Sequence, residues 1–184
     1  MRKILIPILT AFVLILATGA CAFADNTLKV GYQFNGLYND GVESNTAVDP
    51  SITVGYEYTA KGENVEYGAG FEYQFDKNLK NIKTAQKFYF IPVYGMVNCI
   101  LTENEYITAR VGYNFFDGNS DYKSDPAHPG TLSGGIYYAA GAGVYYKNFR
   151  VEILYSCNNA SCSNGGTTVD IKNTQWAVNF GIRF

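Results

Sequence analysis

The chain has 184 residues, with 14 Lys and Arg against 16 Asp and Glu, and a pI near 5.4 gives no reason to expect nucleic acid or an anionic surface as a partner. It is 16% aromatic, with 16 Tyr, 12 Phe and a single Trp, it holds 19 Gly, and its mean hydropathy is −0.08. Beyond the amino terminus no apolar run is long enough for a membrane helix, which excludes a helical membrane protein but not a barrel, whose alternating strands hide their apolar half from any average.

The chain opens on Arg2 and Lys3, continues through an almost wholly apolar Ile4 to Ala17, and reaches Ala22-Phe23-Ala24. A basic start, an apolar stretch and small residues at the two positions a signal peptidase reads predict a cleaved export signal over residues 1–24, with Ala22 and Ala24 at the cleavage site. Two readings rival it: an uncleaved anchor, for which the apolar stretch barely approaches the roughly 20 residues that span a bilayer, and lipoprotein processing at Cys21, although Thr18 stands where a lipobox prefers Leu. Residues 25–184 then form the mature chain, sized for one domain.

Within it an apolar residue recurs at every second position, the signature of a strand with one apolar face. The first run sets Leu28, Val30, Tyr32 and Phe34 against Lys29, Gly31, Gln33 and Asn35. The second sets Ile52, Val54, Tyr56 and Tyr58 against Thr53, Gly55, Glu57 and Thr59, and the third sets Val65, Tyr67, Ala69, Phe71, Tyr73 and Phe75 against Glu66, Gly68, Gly70, Glu72 and Gln74. The fourth, Phe88 to Leu101, is apolar on both faces; Asn98 favours even positions inward, whereas a four-residue turn Thr102 to Glu105 would set Leu101 opposite Tyr106 and favour the reverse, and Pro92 predicts a bulge or a strand end because it lacks an amide for the ladder. In the fifth, Ile107, Ala109, Val111, Tyr113 and Phe115 oppose Thr108, Arg110, Gly112 and Asn114. The sixth opposes Tyr138, Ala140, Ala142, Val144 and Tyr146 to Ala139, Gly141, Gly143 and Tyr145, and the seventh opposes Phe149, Val151, Ile153 and Tyr155 to Arg150, Glu152, Leu154 and Ser156.

The eighth run, Thr174 to Phe184, alternates without error and carries Trp176, Val178, Phe180, Ile182 and Phe184 on one face. Between the runs, long polar connections at 38–49, 76–86, 117–135 and 157–173 alternate with tight ones at 61–64, 102–105 and 147–148. Strands of about 10 residues, tilted about 40°, cover roughly 25 Å along a membrane normal, the height of the apolar band of a membrane barrel. No apolar-face position of the seven unambiguous runs carries a charge. The opposite faces carry Lys29, Glu57, Glu66, Glu72, Arg110, Arg150, Glu152 and Arg183, four of each sign, and ion pairs across a narrow interior are expected of them.

The terminal strand ending on Phe184, the export signal and the alternation of short and long connections together resemble the small eight-stranded bacterial outer-membrane β-barrels of the OmpA/OmpX type, over the whole mature chain. The resemblance implies an all-β, antiparallel, up-and-down transmembrane barrel in the outer membrane, with periplasmic termini, long extracellular loops, and residues 176–184 as the signal read by the barrel-assembly machinery. It implies outer-membrane lipids as partners, a monomer, and a structural or surface-interaction role in which the loops hold any extracellular ligand. Eight strands leave an interior just wide enough for side chains, too narrow for a general porin.

Two other readings compete. A lipid-modifying enzyme would need a nucleophile, a base and an orienting group; the single His128, with Ser124, Asp125 and Ser133 near it, is flanked by Pro126 and Pro129 in what reads as a surface turn, with no rigid partner on a strand, so no catalytic residue is assigned. A soluble lipocalin-like barrel would place its aromatics inside and its charges outside. The pattern implies no cofactor. Cys157 and Cys162 form a close pair in a polar stretch of an exported chain and predict a local disulfide, with Cys99 unpaired; a structural metal is disfavoured because no His lies near. Rings near the strand ends, among them Tyr38, Phe115, Phe116, Tyr137, Tyr138, Tyr145, Tyr146, Phe149 and Tyr155, are expected at the two membrane interfaces.

Overall fold

A computed structural model describes residues 24–41, 45–80, 86–123, 130–164 and 167–184. The expected signal segment through Phe23, including Cys21 and Ala22, and the His128 segment 124–129 lie outside the described residues. The elements are β1 (Ala24–Asn39), β2 (Thr46–Val48), β3 (Ser51–Lys61), β4 (Val65–Asn78), β5 (Lys87–Ile100), β6 (Glu105–Gly118), the single helical turn α1 (Ser120–Lys123), β7 (Thr131–Tyr146), β8 (Phe149–Asn164) and β9 (Thr167–Arg183). Apart from β2, a short strand at the end of β1, each strand pairs antiparallel with its neighbours in chain order, and β9 returns to β1. The result is a closed, eight-stranded, up-and-down barrel of the transmembrane type.

Closure follows from the side-chain alternation, because a sheet with one continuous apolar face and no polar edge to spare satisfies every backbone group only by pairing its first strand with its last. Val30 sits opposite Phe180 and Leu28 opposite Ile182 across that seam, all four pointing outward. At one end the connections are tight: Gly62 donates to the Val65 carbonyl, Leu101 donates to Glu105, and Tyr146 is paired with Phe149 across Lys147 and Asn148, with Lys147 in the left-handed region at φ 54°. We call this the turn end and the other the loop end.

In β5 the even residues are inside and the odd ones outside, as Asn98 suggested. Pro92 stands in the middle of that strand without a register shift toward β6, where it faces Asn114. Toward β4 the ladder skips from Phe71↔Val93 to Gln74↔Phe90, and the bulge falls beyond it, between Gln74 and Lys77. Similar bulges interrupt β1 between Phe34 and Leu37, where Asn35 has φ 50°, and β7 between Gly134 and Tyr137. Each inserts one residue and so reverses which parity faces the interior.

The strands outlast the apolar band. Eight steps of β9, from Trp176 to Phe184, rise roughly 20 Å at the usual tilt, yet the strand runs 17 residues. Below Thr174 its outward residues are Trp176, Val178, Phe180 and Ile182 and its inward ones are Gln175, Ala177 and Asn179. Above it the sense inverts: Thr168, Asp170 and Lys172 point out while Ile171 is buried. The predicted long connection 157–173 is therefore mostly a hairpin, with β8 and β9 paired from Cys157↔Thr174 to Asn164↔Thr167.

Candidate functional site

The barrel interior divides into two layers. From the turn end to mid-height it is charged, because the inward odd residues of β1, β3, β7 and β9 and the inward even residues of β4, β5, β6 and β8 converge on one axis. Glu57 is its centre: Lys29 Nζ lies 2.9 Å and Arg110 Nη2 3.0 Å from Oε1, Arg150 holds Oε2, and the Tyr94 hydroxyl donates to Oε1 at 2.6 Å. Lys29 also reaches Glu72 at 2.7 Å and donates to Tyr94 at 2.8 Å. Arg110 reaches across to Glu152 at 2.7 Å, and Glu152 accepts from Asn179 and Tyr106 as well. Nearer the turn end Arg183 pairs with Glu66 at 2.7 Å and with Asp25 at 3.1 Å, while Tyr145 and Asn98 donate to Glu66.

The structure thus brings all eight anticipated interior charges together as ion pairs, seven of them almost fully buried and Arg183 at the rim. A lone ion here would have to be desolvated without compensation, whereas each carboxylate in this array meets at least one cation and a hydroxyl or amide donor. Glycines make the space: a Cβ on Gly143 would lie 2.4 Å from the Tyr106 ring, and one on Gly55 would lie 2.7 Å from Lys29 Cε. The array fills the lumen at this height, since seven of its eight charged side chains are no more than 5% exposed.

A cluster that the alternation alone did not reveal lies above it. Lys77, assigned to a loop by composition, is inside because of the β4 bulge. Its ammonium donates to Gln175 at 2.6 Å and Gln74 at 2.8 Å, sits 5.7 Å over the Phe90 ring, and forms no ion pair among the described residues. Gln74 also bonds Asn158 and Gln175, so a belt of amides separates the charged layer from the loop end.

The loop end is plugged by apolar side chains: Tyr38, Phe88, Phe90, Phe116, Tyr122, Ala160, Cys162 and Ile171 are buried together, with Val48 and Leu79 over them. Tyr122 enters from α1, whose start is held by Asn119 accepting from the Tyr122 amide, and its hydroxyl meets that of Tyr38 at 2.5 Å. Tyr38, Phe116, Tyr137 and Tyr145 are consequently interior residues and not interfacial rings; in β1 the bulge turns Tyr38 inward. The outward rings do form girdles, with Tyr32–Phe34, Tyr73–Tyr89, Tyr113–Phe115 and Tyr155–Trp176 in contact toward the loop end, and Tyr146, Phe149 and Phe184 at the turn end.

The expected Cys157–Cys162 disulfide is not formed: Cys99, Cys157 and Cys162 are all free thiols. The two lie five residues apart on one extended strand, so they point to opposite faces and their Cα atoms are about 16 Å apart, far beyond disulfide reach. Among the described residues no group of His, Cys, Asp and Glu is arranged to hold a metal.

No protein-family model matches the chain, and no curated protein matches it in sequence. Among solved structures, Neisserial surface protein A superposes with a TM-score of 0.56 at 11% identity, over 88% of this chain and 99% of that one. Ail, the attachment invasion locus protein of Yersinia pestis, superposes with a TM-score of 0.53 at 13% identity, again over 88% of this chain and 99% of that one. At such identities the likeness is one of fold: this chain has the architecture of the small eight-stranded outer-membrane barrels.

Proposed function

We propose that the mature chain is an integral protein of a bacterial outer membrane, with the turn end and both termini in the periplasm and the loop end outside the cell. Its role is structural or surface interaction and not catalysis or bulk transport. One observation carries this: the outer wall is uncharged and apolar between the two aromatic girdles, with Phe180 60% and Phe184 68% exposed, while the ion pairs are inside. A water-soluble ligand-binding barrel would show the reverse over that height, and so large an exposed apolar belt is tolerable only in lipid.

The sealed lumen supports a role at the loop end, where connections on a rigid scaffold carry recognition. Ail's name ties a barrel of this fold to attachment, which agrees with a surface role here. Insertion would need the barrel-assembly machinery, for which the strand ending on Phe184 is the proposed signal, after removal of residues 1–24. Fractionation tests the reading: recovery in the outer membrane, with a gel mobility that changes on heating, is the expected result. Recovery in the soluble periplasm with no heat-dependent mobility would overturn it.

A further inference from the structure

The interior holds one cation more than its acids answer. In the charged layer every carboxylate is already engaged by Lys29, Arg110, Arg150 or Arg183. Glu72, the acid nearest Lys77 in sequence, is held by Lys29 at 2.7 Å and reaches Lys77 only through Gln74. Asp40, the buried acid at the loop end, is engaged with the Tyr38 hydroxyl. Lys77 is 1% exposed and meets only the side-chain carbonyls of Gln74, Gln175 and, at 3.5 Å, Asn173. An ammonium buried among neutral dipoles carries a desolvation cost that a bound anion would offset.

What lies beside that ammonium is apolar. Phe90, which takes the charge on its face, touches Phe88 at 5.9 Å and Phe116 at 4.8 Å between ring centres, and those two rings hold Tyr122 at 6.1 and 5.7 Å. One ring thus separates the ammonium from the seat of Tyr122. Gly118 shapes the seat, since a Cβ there would lie 2.8 Å from the Tyr122 ring. Among the described residues Tyr122 is also the one ring of the plug that comes from outside the sheet. Tyr38, Phe88, Phe90 and Phe116 are fixed by strand pairing, whereas α1 is a single turn held by Asn119, by the surface pair of Lys123 with Asp117 at 2.7 Å, and by the Tyr122 hydroxyl on Tyr38 at 2.5 Å. Tyr122 can therefore leave its seat without breaking the ladder, and local openings are drawn from such lightly tied segments.

We propose that the loop-end interior binds a small apolar carboxylate, its body taking the place of Tyr122 between Phe88 and Phe116 and its carboxylate meeting Lys77, with Tyr122 as a built-in competitor for the seat. The proposal deepens the surface role above and rests on the loop end opening to water outside the membrane. The full mature chain is reconstituted in nanodiscs of phosphatidylethanolamine and phosphatidylglycerol, heat-dependent mobility reports the inserted barrel, and equilibrium dialysis against empty discs reads uptake of 3-phenylpropionate, whose ring and methylenes match the displaced side chain in size. The alcohol 3-phenylpropanol and the cation 3-phenylpropylammonium carry the same body with a different head. Wild type is expected to take up the carboxylate in preference to both, and Lys77→Gln should abolish that preference. Tyr122→Ala should tighten carboxylate binding at least about ten-fold, because it removes the competing conformation. Should that variant fail to insert, Tyr122→Phe, which loses only the bond to Tyr38, should tighten it about five-fold, the scale of one hydrogen bond. Inserted wild-type barrels that take up no carboxylate beyond the empty discs, a preference that survives Lys77→Gln, or Tyr122 variants that bind no tighter than wild type would overturn the site while leaving the barrel intact. A wild-type chain that inserts into no disc would overturn the membrane reading beneath it.

Discussion

Glu57 shows how much of this protein rests on single side chains. It accepts from Tyr94 and meets Lys29, Arg110 and Arg150, so removing its charge leaves three cations around a neutral amide. Breaking a buried ion pair from one side commonly costs about 3–5 kcal/mol. Glu57→Gln should lower the unfolding free energy of the lipid-embedded barrel by about that much in a urea titration, whereas Tyr94→Phe, which removes one hydroxyl, should cost about 1 kcal/mol. The positions of these charges were legible because each sits at an odd or even place in an unbroken alternation. The cysteines were misread for the opposite reason: Asn158, Asn159, Ser161 and Ser163 surround them, and such a composition resembles a loop although it lies on a paired strand. Alkylation of the denatured mature chain without reductant should therefore label three thiols; labelling of one alone would restore the disulfide.

At the scale of elements, β9 holds two patterns in one strand: from Trp176 on it is apolar outside and mostly polar inside, whereas before Asn173 it is polar outside, at Thr168, Asp170 and Lys172, with Ile171 buried inside. The second half continues the period of two with its sense reversed, through Ile171 on β9 and Ala160 and Cys162 on β8. Each segment is short, and Gly165-Gly166 between them reads as a loop signal, so a search for outward apolar residues passes over it. Bulges are equally hard to read, because one inserted residue in β1 or β4 sends Tyr38 or Lys77 inward against the parity of the run before it. Ile171→Lys should destabilise the barrel by at least about 2 kcal/mol by burying an unpaired ammonium, while Thr168→Lys on the exposed face should stay within about 0.5 kcal/mol. Phe184→Ser should reduce the yield of inserted barrel in cells several-fold, yet barrels refolded in detergent should unfold within about 0.5 kcal/mol of wild type, since that ring lies on the outer surface. Equal losses in both assays would mean that Phe184 acts through stability and not as an assembly signal.

For the molecule as a whole, the stacked layers explain why an apolar-walled barrel needs no channel. Ion pairs fill the lower lumen, amides around Lys77 fill the middle, and the aromatic plug with Tyr38 and Tyr122 closes the loop end. The barrel and its charged interior were legible from periodicity, whereas the plug was not, because it is assembled from residues on β1, β5, β6, β8, β9 and α1 that share no local pattern. The most direct measurement is a spin-label scan of β9 from Thr168 to Phe184 in bilayers, comparing collision with oxygen and with a water-soluble nickel chelate. Labels at 176, 178, 180 and 182 should favour oxygen, labels at 168, 170 and 172 should favour the chelate, and odd positions should be shielded from both. Chelate access at every even position, with no change of environment between 172 and 176, would contradict a lipid-embedded barrel that projects beyond its membrane.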